Sequence, residues 1–445
     1  MIKQIVVLFF LSTAAEAQTG PGFEKISTYL SSLPSNDSPH AAKPGLSYLG
    51  GAEIHAWGTS TGANISLKDY FRPAIGSFRA NSFDGSSAST GSGELRLALP
   101  VLRFRVNKKF EFGLVTQVRV FERHSRLNDA VASEIGESKK VPHIYPIEID
   151  ANTKMSMHAA SFSDLGLTAV YDLLHNNKNV IFATTTIHGY NSLAYTGLEI
   201  NNLKGRIEQN RDNVSFLTRA SGSLKATSAG NLFSDFNVPN FFRKGMFSLG
   251  ADFGLVYAIK TSVNSRITFA AQIKNIGVLK FKTDSASAAR YDIHISEKEG
   301  LYFNNDLKNS ALGKLTRIFD QYPNLFSRKA NQQEMARIAL PKTVEFDVQY
   351  LAVRGAFAGI STTINLNGVN KELASPSGTM LSIGWMSRMF SAYIPLSYYQ
   401  YAYFNVGMGI RHRFFFIKSN SFITSALTRS RLLDFSIGFA YSANY

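Results

Sequence analysis

Asp434-Phe435-Ser436-Ile437-Gly438-Phe439-Ala440-Tyr441-Ser442-Ala443-Asn444-Tyr445 ends the chain, and its alternation decides the fold. Phe435, Ile437, Phe439, Tyr441, Ala443 and Tyr445 share one face. Asp434, Ser436, Gly438, Ala440, Ser442 and Asn444 share the other. Successive side chains of a strand point to opposite faces, so this segment reads as a strand with an apolar side and a polar side.

The period recurs upstream. Phe110, Phe112, Leu114, Val118 and Val120 oppose Glu111, Gly113, Gln117 and Arg119. Phe247, Leu249, Ala251, Phe253, Leu255, Tyr257 and Ile259 oppose Ser248, Gly250, Asp252, Gly254 and Ala258. Ile267, Phe269, Ala271 and Ile273 oppose Arg266, Thr268, Gln272 and Lys274. Val344, Phe346, Val348 and Tyr350 oppose Thr343, Glu345, Asp347 and Gln349. Several of these runs can pass ten residues, near the ~9–11 that cross a bilayer at a tilt. A soluble sandwich alternates too, but its strands average ~5–6 residues.

Connection lengths separate the two architectures. Short turns are expected at 107–109, 174–178, 261–264, 353–355, 388–391 and 418–420. Longer stretches lie at 69–92, 123–159, 191–245, 283–341 and 367–377. Alternating short and long connections characterise outer-membrane barrels. The prediction is an all-β, antiparallel, transmembrane barrel of about 14 strands with long outer loops. The strands fall near 48–67, 93–106, 110–122, 160–173, 179–190, 246–260, 265–282, 342–352, 355–366, 378–387, 391–399, 402–416, 421–428 and 433–445.

Three parts are read differently. Lys3, the apolar run Ile5 to Leu11 and Ala15-Glu16-Ala17 form a signal peptide over 1–17, implying export by the general secretory route. Residues 18–47 read as a periplasmic arm or lumen plug, leaving 48–445 as the barrel. The insertion 283–341 is too long for a plain loop. Within it Leu307, Leu312, Leu315, Ile318 and Phe319 recur at helical spacing, predicting a short amphipathic helix over 306–320. That helix would cap the barrel mouth, lie on the membrane, dock a partner or fold onto its own loop.

Composition fits this reading. Cysteine is absent, which excludes disulfides and thiolate chemistry. The net charge is +15. For an exported chain that points to outer-membrane lipid and lipopolysaccharide rather than nucleic acid. Phe and Tyr number 34 and 19 against two Trp, suiting lipid-facing strands.

The run Phe247-Ser-Leu-Gly-Ala-Asp-Phe-Gly-Leu-Val-Tyr257, followed by Ile267-Thr-Phe-Ala-Ala-Gln-Ile-Lys-Asn-Ile-Gly277, resembles a pattern of Bacteroidota outer-membrane barrels. Those barrels are similar to long-chain fatty-acid transporters. They include accessory barrels of type IX secretion and a large family of unknown function. Asp164-Leu-Gly-Leu-Thr-Ala-Val-Tyr171 with Ile181 to Gly189, and Asp434 to Gly438, follow the same scheme. One departure is Lys43-Pro44-Gly45, where such barrels carry Asn-Pro-Ala. The end Phe435, Ile437, Phe439, Tyr441 and Tyr445 resembles the sorting signal read by the barrel-assembly machinery.

Three catalytic motifs are missing from the sequence: no His-Glu-x-x-His, phosphate loop or G-x-G-x-x-G occurs. Gly85 to Gly93, rich in Ser and Gly, reads as an outer loop rather than an anion nest. The nine histidines show no metal spacing. His188 with Ser192, or His124 with Glu122, would seed a rim hydrolase, a remote reading. No cofactor, metal or catalytic residue is expected. The lumen-lining candidates are Gln117, Arg119, Asp252, Arg266, Gln272, Lys274, Glu345 and Asp347. Arg266 and Glu345 are a candidate pair within them. Such charges line an aqueous path or fill the lumen with ion pairs.

Function is expected to be non-enzymatic. The long loops and the 283–341 insertion exceed what a pore needs. They favour an accessory subunit of an outer-membrane complex, in secretion or barrel assembly, with a protein partner at those loops. The alternative is a transporter of small or hydrophobic solutes.

Overall fold

The structure is a computed structural model that describes residues 47–58, 89–107, 109–127, 131, 145–150, 155–230, 245–262, 265–283, 288–302, 315–329, 335–352, 354–367, 372–387, 390–412, 415–428 and 430–442. The expected signal 1–17, and the arm 18–47 apart from Ser47, lie outside them, as do the Tyr441 side chain and Tyr445.

In chain order the elements are β1 Ser47–Gly58, β2 Ser89–Arg105, β3 Phe110–Leu127, β4 Ile147–Asp150, β5 Met155–His175, β6 Asn179–Gln209, β7 Ser215–Ala229, β8 Met246–Ser262, β9 Ser265–Lys282, β10 Ala288–Ile295 and β11 Leu301–Tyr302. There follow α1 Leu315–Asp320, β12 Phe326–Lys329, β13 Met335–Ala339, β14 Thr343–Leu351, β15 Ala356–Asn365, β16 Gly378–Met386, β17 Phe390–Tyr399, β18 Tyr403–Val406, β19 Met408–His412, β20 Phe415–Ser419, α2 Phe422–Leu427 and β21 Leu432–Ser442.

The antiparallel ladder runs β1, β2, β3, β5, β6, β8, β9, β14, β15, β16, β17, β19, β20, β21. It then returns to β1, with Ser47 opposite Ser442 and Trp57 opposite Leu432. Each strand of this ring of fourteen has a neighbour on both sides, which is what hydrocarbon demands of a sheet. The described chain holds 21 strands, more than the 14 expected. The surplus has two sources. β13 continues the register of β14 along β9, and β18 that of β19 along β17. The others stand beyond the ring. The short connections β2–β3, β5–β6, β8–β9, β14–β15, β16–β17 and β19–β20, with β1's start and β21's end, lie at one end.

The faces divide as the alternation requires. Outward Leu165, Leu167 and Ile187 are 52%, 54% and 57% exposed, whereas their strand neighbours Asp164 and His188 are 1% and 3% exposed. Exposed leucines beside buried acids make sense only if lipid lies outside. No described helix is long and apolar enough to cross a membrane. The crossing is made by strands, and the architecture is a transmembrane β-barrel of the outer-membrane kind.

Beyond the membrane the long connections are themselves ordered. β6 has 31 residues, about three times a crossing length. Its far half pairs with β4 and β7; β7 pairs with β10 and β11, and β10 with β12. This extension has its own core, including Ile207, Leu217, Leu224, Tyr291, Phe319 and Phe326. The stretches expected as loops at 123–159, 191–245 and 283–341 are therefore partly strand. Each buries apolar residues against the others, a gain no single segment reveals.

The helical insertion is met in its described part, and two further expectations are corrected. The helix of 306–320 is seen only as α1, with Phe319 buried in the extension and Ile318 packed against it, so it folds onto its own insertion. Leu307 and Leu312 lie outside the described residues. Residues 89–93 of the Ser/Gly run belong to β2, because β3 pairs with them. The strands 402–416 and 421–428 give way to β18–β19, β20 and α2. β19 ends at His412 and β20 starts at Phe415, so the chain has already reversed before 418–420. The Asp434 carboxylate draws in Ser419, Asn420 and Ser421, which fold at the opposite end.

Candidate functional site

The lumen is layered. Its polar layer starts at a bulge in β9, where the register with β8 shifts between Ala251 and Phe253. Asn275 sits there at φ 58°, a left-handed conformation that Asn tolerates better than most residues. Its amide donates to Asp252 Oδ1 at 2.6 Å. Its side-chain Nδ2 donates to the Pro341 carbonyl at 3.1 Å, and its Oδ1 accepts from Arg119 at 2.8 Å. That last bond ties β3 to β9 across the interior, past the intervening β5, β6 and β8.

Arg119 donates its Nε to Glu94 at 3.0 Å, and Arg96 donates to the same oxygen at 2.7 Å. The Arg119 guanidinium also stands over Phe121 and Phe162, at 4.7 and 5.5 Å from the ring centres. His188 joins two carboxylates. Its Nδ1 lies 2.8 Å from Asp164 Oδ1, in hydrogen-bonding geometry. Its Nε2 lies 3.1 Å from Asp252 Oδ2, within ion-pair range but off the line of a hydrogen bond. Gln117 donates to the other oxygen of Asp164. Buried charges need partners, and here each of these groups has one.

On the long-connection side lies an apolar layer: Phe121, Ala160, Phe162, Tyr190, Tyr195, Leu279, Phe281, Ala336, Ile338 and Leu340. The Phe162 and Tyr190 rings meet edge to face at 5.7 Å, and Tyr195 and Phe281 lie 5.3 Å apart. Leu373, 1% exposed, joins this cluster from the connection between β15 and β16, a distant part of the ring. Arg123 donates to the Ala374 carbonyl at 3.4 Å. The stretch around 372–376 is thus tucked into the barrel as a stopper.

Of the expected lumen residues, Gln117, Arg119 and Asp252 meet in the polar layer. Lys274 pairs with Glu345, and Gln272 stands opposite Glu345 on the neighbouring strand. Asp347 is buried and faces inward. Arg266 and Glu345 are not brought together: Arg266 stands opposite Leu351, about 20 Å further along β14 at ~3.3 Å per residue. The rim-hydrolase candidates fall in two places. Tyr190 stands between His188 and Ser192 and stacks on the His188 ring at 5.5 Å. Glu122 and His124 do share a face, but it is the one opposite in phase to buried Phe121 and Arg123, turned away from the lumen. No group of three His, Asp or Glu side chains able to hold a metal occurs among the described residues. Glu94, Arg96, Asp164, Asn275 and Leu373 were not expected. Asp164 and Asn275 fall in the runs that carried the resemblance, and Glu94 and Arg96 alternate with Leu95 and Leu97 in an expected strand; Leu373 had no such signal.

A family model described as a family of unknown function, DUF5723, matches residues 49–420. No curated protein matches the chain. Among solved structures, a TodX deltaS2S3 mutant monoaromatic hydrocarbon channel shares 10% identity at TM-score 0.41, covering 97% of this chain and 96% of that one. The Pseudomonas putida toluene transporter TodX shares 9% at 0.34, with 97% and 96% covered. A Pseudomonas aeruginosa FadL homologue shares 12% at 0.34, with 90% of each covered.

Proposed function

Because the chain belongs to the DUF5723 family, a family of unknown function, we propose its role from its geometry: a normally closed outer-membrane barrel that passes small, mainly apolar solutes without performing chemistry on them. One observation carries this reading. The lumen holds a layer of Phe, Tyr and aliphatic side chains that is roofed by Leu373. A water-filled porin has a polar interior, and such a layer would obstruct ions and sugars. An apolar solute gains what those side chains gain from each other, so it can replace Leu373 in their midst. The Asp164–His188–Asp252 and Glu94–Arg119–Asn275 ties below would keep the path shut to ions. Export through the secretory route, folding by the barrel-assembly machinery and contact with lipopolysaccharide belong to the same proposal.

The test is saturable binding of a small aromatic hydrocarbon to the detergent-solubilised protein, by equilibrium dialysis. Leu373→Trp, which fills the layer, should weaken binding at least tenfold. Binding that does not saturate, or that Leu373→Trp leaves unchanged, would overturn the reading.

A second reading has its own support. The extension around β6, β7 and β10 has a separate core, more structure than a conduit requires. It suits an accessory subunit that docks a protein partner. A partner retained at one-to-one stoichiometry in mild detergent would favour it.

A further inference from the structure

We propose that Lys109, Lys178 and Lys260 form a basic arc that binds the phosphate headgroups of anionic phospholipids, in the leaflet bordering the short turns. The three residues belong to three successive hairpins of the ring. Their backbones are stitched together: Asp172 N donates to the Lys109 carbonyl at 2.9 Å, and Lys260 N to the Lys178 carbonyl at 2.7 Å. Two of the turns are also held rigid. Asn107 Oδ1 accepts from the amides of Lys109 and Phe110, at 2.8 and 2.9 Å. Asn176 Oδ1 does the same for Lys178 and Asn179, at 2.9 and 2.7 Å. Lys109 and Lys178 are exposed, and Lys260 is half-buried.

Two observations make the arc a lipid site rather than ordinary surface charge. The first is the lack of counter-charge. Among the described residues, no carboxylate pairs with any of the three ammonium groups. Nearby Asp172 is engaged by His175 at 3.1 Å. At the opposite end, four basic groups are matched: Arg206 with Glu148, Arg219 with Glu297, Arg328 with Asp320, and Lys329 with Asp292. The second is depth. Phe110, Tyr171, Leu173 and Leu174 are all exposed large apolar side chains immediately beside these turns. They mark the edge of the hydrocarbon, and a lysine one or two residues beyond it stands at headgroup level. An acidic protein would not need this placement against the apolar belt; a phospholipid does.

A basic residue close to an anionic surface strengthens binding roughly fivefold, and the effect fades within a Debye length of ~8 Å at physiological salt. The experiment uses the full protein in nanodiscs of mixed phosphatidylglycerol and phosphatidylcholine, released into the gas phase for native mass spectrometry. The wild type should retain phosphatidylglycerol in preference to phosphatidylcholine, and lose the preference in high salt. Lys109→Gln with Lys178→Gln should lower that preference about 25-fold, with the folded gel mobility unchanged. Arg354→Gln, at a turn elsewhere on the rim, should leave it nearly intact. Equal retention of both lipids by the wild type would overturn the proposal. So would a double variant that keeps the preference, an Arg354→Gln loss as large as the double variant's, or selective retention of lipid A or an acidic protein instead.

Discussion

Replacing Asn275 with alanine removes two things at once, and they can be separated. The first is conformational. Asn275 holds φ 58°, where a Cβ-bearing residue without a short polar side chain is strained by about 1–2 kcal/mol. The second is the pair of side-chain bonds to Arg119 and the Pro341 carbonyl. Losing them leaves a guanidinium nitrogen and a carbonyl without those partners in the lumen, at about 1–3 kcal/mol together. The expected total is about 2–5 kcal/mol. Asn275→Gly relieves the strain but keeps the lost bonds, so it should be milder than alanine by about 1–2 kcal/mol. Asn275→Asp keeps an acceptor for Arg119 and should fall between glycine and the wild type. The assay is urea unfolding in detergent, followed by the fluorescence of the two tryptophans and by the heat-dependent gel shift of a folded barrel. If alanine and glycine variants both unfold within ~0.5 kcal/mol of the wild type, or glycine is the worse of the two, the bulge is not held as described.

Other outcomes follow from the same geometry. Glu94→Gln and Arg119→Met should each cost about 3–5 kcal/mol, and the double variant little more than either, because a broken buried ion pair is worse than an absent one; a double-mutant cycle in urea checks this. Gly407→Ala should abolish folding in detergent, read by the gel shift, since an added Cβ would run into the Ser419 carbonyl and the Asn420 backbone. Ile187→Arg places a charge on the lipid face and should cost about 2–4 kcal/mol if the site is near mid-membrane. Leu373→Ala should free the stopper yet leave the single-channel conductance of planar bilayers near the wild-type level of about zero, because the polar ties below still close the path to ions; a large conductance in this variant would contradict their role.

Period two was legible because it depends only on the chain's own neighbours. Phe247 to Ile259 announces both faces of β8 without reference to any other strand. The same logic failed where partners far apart in sequence decide the structure. β6 continues past residue 190 because β7 and β4 pair with it. The 418–420 segment folds away from the short-turn end because Asp434 waits for it. Within the lumen, Gln117, Arg119 and Asp252 could be placed on the inward face by phase alone. Their partners could not be chosen, since Asn275 enters only through a bulge, which shifts the phase of β9. Leu373 reads as a loop residue, and nothing near it in sequence tells that it ends among aromatic rings across the barrel.

The two faces can be measured directly. The chain has no native cysteine, so single cysteines at Asp164, Leu165, Gly166, Leu167 and Thr168 carry spin labels without background. In lipid vesicles, collision rates with dissolved oxygen should be high at 165 and 167 and low at 164, 166 and 168. A polar nickel relaxant should not reach 165 or 167. Equal access of the nickel reagent to all five positions, or a smooth trend without alternation, would contradict a closed barrel with lipid outside and a packed lumen within.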